Sequence, residues 1–194
     1  MIIQFILAII CFAGILLTPT LRSVAIEKIT ITDHSGQIRQ AQWTETISML
    51  KNRPINGGGL ANYQQAIEPY HSSGLTINDK WQPVEIFLYP HNILLNFWVE
   101  IGIYGLFSLV WLFIVLGVLI YRINIKKKWL PKYKKEYINH LSLGVSSALI
   151  VIIVHGLVDV PYFKNDLSIL FWIIAGITII LYNHTVNKKI TELE

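Results

Sequence analysis

The chain has 194 residues, of which 53% are hydrophobic and 14% charged, with a net charge of +4. Soluble domains carry roughly a quarter charged residues, and here the deficit is local, so an ordinary soluble globule is excluded in favour of membrane spans separated by aqueous loops. Most of the modest positive charge sits in one loop, which gives no ground for a nucleic-acid partner.

Ile2 to Leu17 is apolar except for Gln4. No Lys or Arg precedes this run and Thr18-Pro19-Thr20 is a poor cleavage site, so residues 1–17 read as a transmembrane helix rather than a signal peptide. The single cysteine, Cys11, lies inside the run, so neither an intrachain disulfide nor a cysteine-based metal site is available. Residues 18–92 are polar and mixed. An amphipathic helix is expected over about 35–51, capped by Asp33 or Ser35, with Ile38, Trp43, Ile47 and Leu50 at near-helical spacing. Pro54 and Gly57-Gly58-Gly59 end it, and a loop-rich stretch follows with Pro69, Gly74 and Pro83 as breakers. A second span begins near Asn92 and runs through Ile101–Tyr121, a third covers about Leu141–Val158, and a fourth about Leu167–Tyr182. The expected architecture is an all-α integral membrane protein. It has about four transmembrane helices, a partly helical extracytoplasmic loop (18–92) between the first two, a three-helix membrane region (93–182) and a tail (183–194).

Basic residues orient the spans. The loop from Arg122 to Tyr137 holds seven Lys/Arg against one acid, Glu136, and such a short basic loop stays in the cytoplasm. Alternation then puts the amino terminus and the tail in the cytoplasm, and residues 18–92 and the Pro161–Asn165 turn outside. The long segment carries six basic and six acidic residues, so its charge does not oppose export.

Several places could carry chemistry. Arg39 and Trp43 lie four residues apart on one helix face; a surface arginine over an aromatic is the plain reading, and a guanidinium aimed at a phosphate is the functional one. The glycines at 57–59 let a backbone approach a ligand but also make turns; no Gly-Lys-Ser/Thr follows, so this is not a Walker loop. His91, in Tyr89-Pro90-His91-Asn92 at the edge of a span, could act as a general base or be plain surface. No other histidine has metal-ligand spacing with it, so no metal is expected. His155 and Asp159 are one turn apart at the third span, where ionisable groups usually face the protein interior. They pair with each other, or they line a proton or ion path. Glu100 reads as interfacial.

The order of these elements is more specific than any one of them. Arg39-Gln-Ala-Gln-Trp43, Met49-Leu50, Arg53-Pro54-Ile55, Gly57-Gly58-Gly59 and Tyr63 come first. Pro90-His91-Asn92, Glu100-Ile101-Gly102-Ile103-Tyr104-Gly105-Leu106, His155-Gly156-Leu157-Val158-Asp159 and Leu170-Phe171-Trp172 follow. The series resembles the carboxy-terminal part of the O-antigen ligase and polymerase superfamily, over most of residues 35–182. The resemblance implies a multi-pass glycosyltransferase of the inner (plasma) membrane. Such an enzyme takes a glycan from undecaprenyl diphosphate on the outer face and gives it to a hydroxyl acceptor, such as a lipid A core sugar or a growing polysaccharide. It implies no nucleotide sugar, metal or other cofactor. By the same resemblance Arg39 holds the diphosphate and His91 is the base. Trp43, Asn92, Gly57, Gly59 and Tyr63 are candidate substrate contacts, with Trp43 and Tyr63 stacking on sugars or equally being core. Family members have many more spans, so the chain is expected to be a fragment or truncated member. Arg22 lies outside the matched motifs and is given no role. Two other readings are a transporter built around His155 and Asp159, and a non-catalytic membrane subunit that assembles with a separately encoded amino-terminal half.

Overall fold

The computed structural model describes residues 13–14, 16–77, 80–161 and 165–186. The first expected span therefore falls largely outside the described residues. Residues 13–14 and 16–17 are helical and Thr18 N–H bonds Gly14 O, but Thr18 itself is extended at ψ 109° and caps a new helix, its carbonyl accepting Arg22 N–H. That helix is α1 (Pro19–Thr30), where Pro19 occupies the first turn at no cost because that turn has no use for its N–H. The polar composition that begins at residue 18 thus does not start a loop; α1 carries Leu21, Val24 and Ile29 outward and buries none of its residues.

Ile31 ends α1 in the left-handed region at φ 57°, and Asp33 starts α2 (His34–Asn52). The Asp33 carboxylate accepts from Lys28 Nζ and Ser35 Oγ, which hold its carboxyl down to about 2. The expected helix over about 35–51 is present with one more residue at each end. Its inner face carries Gln42, Thr46, Met49 and Leu50. This face packs on the short helix α3 (Tyr63–Ile67) and on α4 (Ile93–Ile101), around Met49, Leu50, Tyr63, Ala66, Ile67 and Val99.

The segment between α2 and α4 also contains a two-stranded antiparallel hairpin, β1 (Gly74–Ile77) with β2 (Lys80–Pro83), in the register Gly74 to Pro83. This corrects the all-α expectation. Each strand has only four residues, and the glycine and proline that read as loop breakers are the first residue of β1 and the last of β2, so no period-two pattern is long enough to register. His34 Nε2 and Gln82 Oε1, 2.7 Å apart, tie the hairpin to the start of α2. A second tie is more elaborate. His71 places Nδ1 3.1 Å from Glu45 Oε2 and Nε2 2.9 Å from Val84 O, while the other oxygen of Glu45 accepts from Ser72 N–H and Oγ–H.

The expected second span is broken. α4 ends at Ile101, and α5 (Ile103–Lys126) restarts after Gly102 at φ 80°. The segment 54–61 is laced across the break. Trp98 Nε1 donates to Pro54 O, Gly58 and Gly59 N–H both donate to Val99 O, Ile103 N–H donates to Ile55 O, and Ala61 N–H donates to Glu100. Glu100 is 8% exposed. It is therefore a buried acceptor for this lacing. Gly57 lies so close to α4, at φ 65°, that a Cβ there would collide with the carbonyl oxygens of Trp98 and Val99. α5, α6 (Lys132–Gly156) and α7 (Asn165–Val186) complete the membrane region. Among the described residues, α5, α6 and the Leu167–Val186 part of α7 are long and apolar enough to cross a membrane. They meet through Leu116, Ile123, Ile138, Val145, Leu149 and Phe171. In lipid this packing is van der Waals contact, since lipid tails are as apolar as the side chains.

Candidate functional site

The site is built where α4 begins, where α6 ends and along one face of α2. Asn92 caps α4. Its Oδ1 accepts from Leu94 and Leu95 N–H at 3.0 and 3.1 Å, the arrangement that makes asparagine a favoured first-turn cap. Its Nδ2 donates to Leu157 O at 2.9 Å. The amide of Asn92 thus joins the start of α4 to the end of α6. Gly156 makes this approach possible, because any Cβ there would press into the side chain of Ile93. Ile93, Phe97, Leu109 and Val160 form a separate apolar cluster directly beneath, with Val160 fully buried.

Two residues of the site flank that cluster in sequence: His91 precedes Asn92, and Asp159 precedes Val160. His91 sits at φ 43°, a left-handed conformation that costs a non-glycine residue of order 1–3 kcal/mol and persists only where its surroundings impose it. The surroundings are visible. Gln42 Nε2 donates to Tyr89 O and Trp43 Nε1 to Pro90 O, each at 2.8 Å, so α2 grips the two residues ahead of His91. The rings of Phe87 and Tyr89 stand edge-on to the imidazole, with centroids at 5.3 and 4.8 Å.

His91 Nδ1 lies 3.1 Å from Asp159 Oδ1, and the same oxygen accepts Val160 N–H at 2.8 Å. A carboxylate only accepts, so Nδ1 carries a proton, and in the neutral imidazole the lone pair is then on Nε2. Nε2 has no hydrogen-bond partner among the described residues, and the side chain is 23% exposed. His155 Nε2 stands 3.6 Å from the other oxygen of Asp159. The spacing in the sequence suggests a His155–Asp159 pair on one helix inside the span. α6 instead ends at Gly156, Asp159 lies in the turn beyond it, and its carboxylate bridges both histidines.

Arg39 is one turn ahead of Trp43 on α2. Its guanidinium reaches only Ser35 Oγ, at 3.5 Å, and no carboxylate neutralises it among the described residues. Tyr63 belongs to the core: it is 2% exposed, its hydroxyl shares a 2.9 Å hydrogen bond with Thr46, and burial pushes its phenol up to about 12. Gly57 is pressed against α4, and Gly59, at φ 94°, belongs to the same laced segment. Trp43 keeps its N–H on Pro90 O. Among the described residues no group of three or more His, Cys, Asp or Glu could hold a metal ion.

The structure thus brings His91, Asn92 and Asp159 together, with Trp43 and Gln42 holding the backbone that carries the histidine. Pairing of His91 with Asp159 is not apparent from the sequence. The available signal is the alternation of spans, which puts the end of the third and the start of the second on the same side of the membrane. Gln42 gives no signal beyond its place on the buried face of α2.

A multi-pass membrane protein with a histidine–carboxylate pair at a helix boundary is the class these features define. A family model described as O-antigen ligase matches residues 1–110, more than half of the chain, and the chain belongs to that family. Arg39, Trp43, His91 and Asn92 lie within the matched residues, whereas Asp159 lies beyond them. No curated protein and no solved structure matches the chain.

Proposed function

We propose that the chain carries the acceptor-activating part of a lipid-linked glycan ligase or polymerase. Membership of the O-antigen ligase family supports membrane lipid-linked glycans and carbohydrates as substrates. The finer reading is transfer from undecaprenyl diphosphate to a hydroxyl acceptor, on the extracytoplasmic side of the plasma membrane. The observation that carries it is the state of His91: Nδ1 is committed to Asp159, and Nε2 has no partner among the described residues.

In this reading the acceptor hydroxyl attacks the anomeric carbon of the donor sugar. A new glycosidic C–O bond forms as the bond to the diphosphate oxygen breaks, and that oxygen leaves with the bonding electron pair. The hydroxyl proton passes to His91 Nε2, and Asp159 steadies the imidazolium that results. Arg39, with no acid to neutralise it among the described residues, supplies positive charge for the diphosphate as negative charge grows on the leaving oxygen. Asn92 and Trp43 position the histidine through Leu157 and Pro90 rather than through the substrate.

The test is transfer of glycan from a polyprenyl-diphosphate donor by the chain reconstituted in liposomes, comparing wild type with His91→Gln and Arg39→Ala. Loss of a general base typically removes roughly 100- to 10,000-fold of the rate. Wild-type turnover by His91→Gln would overturn the assignment.

A further inference from the structure

We propose that the groove between α6 and α7, at their basic ends, is a binding site for an anionic phospholipid. The groove has a volume of about 1230 Å³ and is open along one side. It lies at the opposite end of the membrane helices from His91, bounded by the start of α6 and the end of α7. Ile138, Leu141, Ile177 and Leu181 line its depth, an apolar surface suited to an acyl chain.

Its rim has the opposite character. Lys126 closes α5, Lys134 lies in the first turn of α6, and the exposed rings of Tyr133 and Tyr137 stand beside them. Tyrosine hydroxyls and lysine ammonium groups are the side chains that settle at the headgroup level of a bilayer. No Asp or Glu lines the groove among the described residues. The linker from Arg122 to Tyr137 adds to the same sign, with seven basic residues against Glu136. Burial and the nearby Lys135 push the Lys127 ammonium below its ordinary pKa, although Asn124 and Asn139 accept from it.

α6 starts at Lys132 after Pro131, with no side-chain cap and no acid in its first turn, so no protein carboxylate offsets the positive end of that helix beside the rim. An occupant with apolar chains and an anionic phosphate answers the apolar lining and the basic rim at once. Basic pockets between membrane helices commonly take such headgroups.

The full chain, purified in detergent, would be titrated with dioleoylphosphatidylglycerol or dioleoylphosphatidylcholine and the retained lipid counted by native mass spectrometry. Wild type should retain the anionic lipid selectively. Lys126→Gln/Lys134→Gln should weaken that retention roughly tenfold or more, since each substitution takes one cation away from the headgroup. Ile180→Trp, which puts a bulky ring at an exposed groove position and keeps both cations, should reduce it as well. Helical circular dichroism unchanged in both variants keeps the comparison one of binding. Equal retention of the two lipids, or equal retention by wild type and the double variant, would overturn the proposal. So would full displacement by inorganic phosphate, which would make it an anion site without a lipid. Stronger lipid retention after removal of residues 187–194 would also overturn it, by making the tail the occupant.

Discussion

Asp159→Asn separates charge from geometry at the proposed base. Asp159 Oδ1 takes both the Val160 N–H at 2.8 Å and the His91 Nδ1–H at 3.1 Å, so an asparagine carbonyl in the same rotamer keeps both bonds. What disappears is the negative charge, while the Oδ2 position that faces His155 Nε2 at 3.6 Å becomes an amide nitrogen. Hydrogen bonds to an ionised acceptor contribute about 1.5–3 kcal/mol and neutral ones about 0.5–1.5 kcal/mol, so the charge alone is worth roughly 1–1.5 kcal/mol. With side chains 23% and 18% exposed the pair is partly screened, which favours the lower figure. The imidazolium forms only as the acceptor proton moves, so the loss falls on the transition state. Turnover should drop roughly five- to fifteenfold while KM for the lipid-linked donor stays unchanged. Asp159→Ala removes the acceptor entirely and should cost more, about 10- to 150-fold in kcat. The assay is initial-rate transfer in liposomes over a range of donor concentrations, with thermal unfolding measured in parallel. A kcat for Asp159→Asn within about twofold of wild type, at equal thermal stability, would refute the reasoning.

Three further outcomes are expected. Gly57→Ala should lower stability by about 1–3 kcal/mol, because it combines a strained positive φ with a collision against the Trp98 and Val99 carbonyls; thermal unfolding in detergent measures it. Arg39→Lys should retain charge but lose two-pronged contact with phosphate, raising KM for the donor more than it lowers kcat, whereas Arg39→Ala should depress both affinity and turnover. His71 titration should make stability pH-dependent. Burial disfavours its charge, but the Glu45 hydrogen bond, the Val84 carbonyl and the Glu45 charge outweigh burial and raise its pKa above the ordinary 6.5. A raised folded-state value means the stabilisation is complete below the unfolded pKa and is lost as pH rises through the folded one. The melting temperature should therefore fall as pH climbs from about 6 through the neutral range, and His71→Gln should flatten that slope.

Long apolar periodicity is legible in the sequence, and short elements are not. The helix over 34–52 and the spans at 103–126, 132–156 and 167–186 all come from patterns that run through three or more turns. The break at Gly102 is hidden because the apolar run continues through it, and only the lacing by Pro54–Ala61 makes a break tolerable there. The hairpin is hidden for the opposite reason, too few residues per strand. At the candidate site, His91 and Arg39 can be singled out from the sequence as candidates for the proposed chemistry. The role of Asp159 needs an approach across 68 positions, set by the packing of Ile93 on Gly156 and the burial of Val160, and no local pattern encodes that. Tyr63 shows the converse. An aromatic after a glycine run suits a sugar platform or a core equally, and only its burial decides between them.

The bond between His91 and Asp159 also has a temporal meaning. His91 leads into α4 and α5, while Asp159 follows α6, two membrane crossings later in the chain. During synthesis the histidine reaches its side of the membrane without the carboxylate that steadies it. The pair is made only after α5 and α6 have been threaded and α6 has delivered its far end to the same surface. A chain stalled at α5 would present His91 on a loop held by α2 alone, without its acid and without the Leu157 carbonyl that Asn92 engages. In the proposed mechanism, acid–base competence therefore doubles as a report that the hairpin of membrane helices has been inserted the right way round.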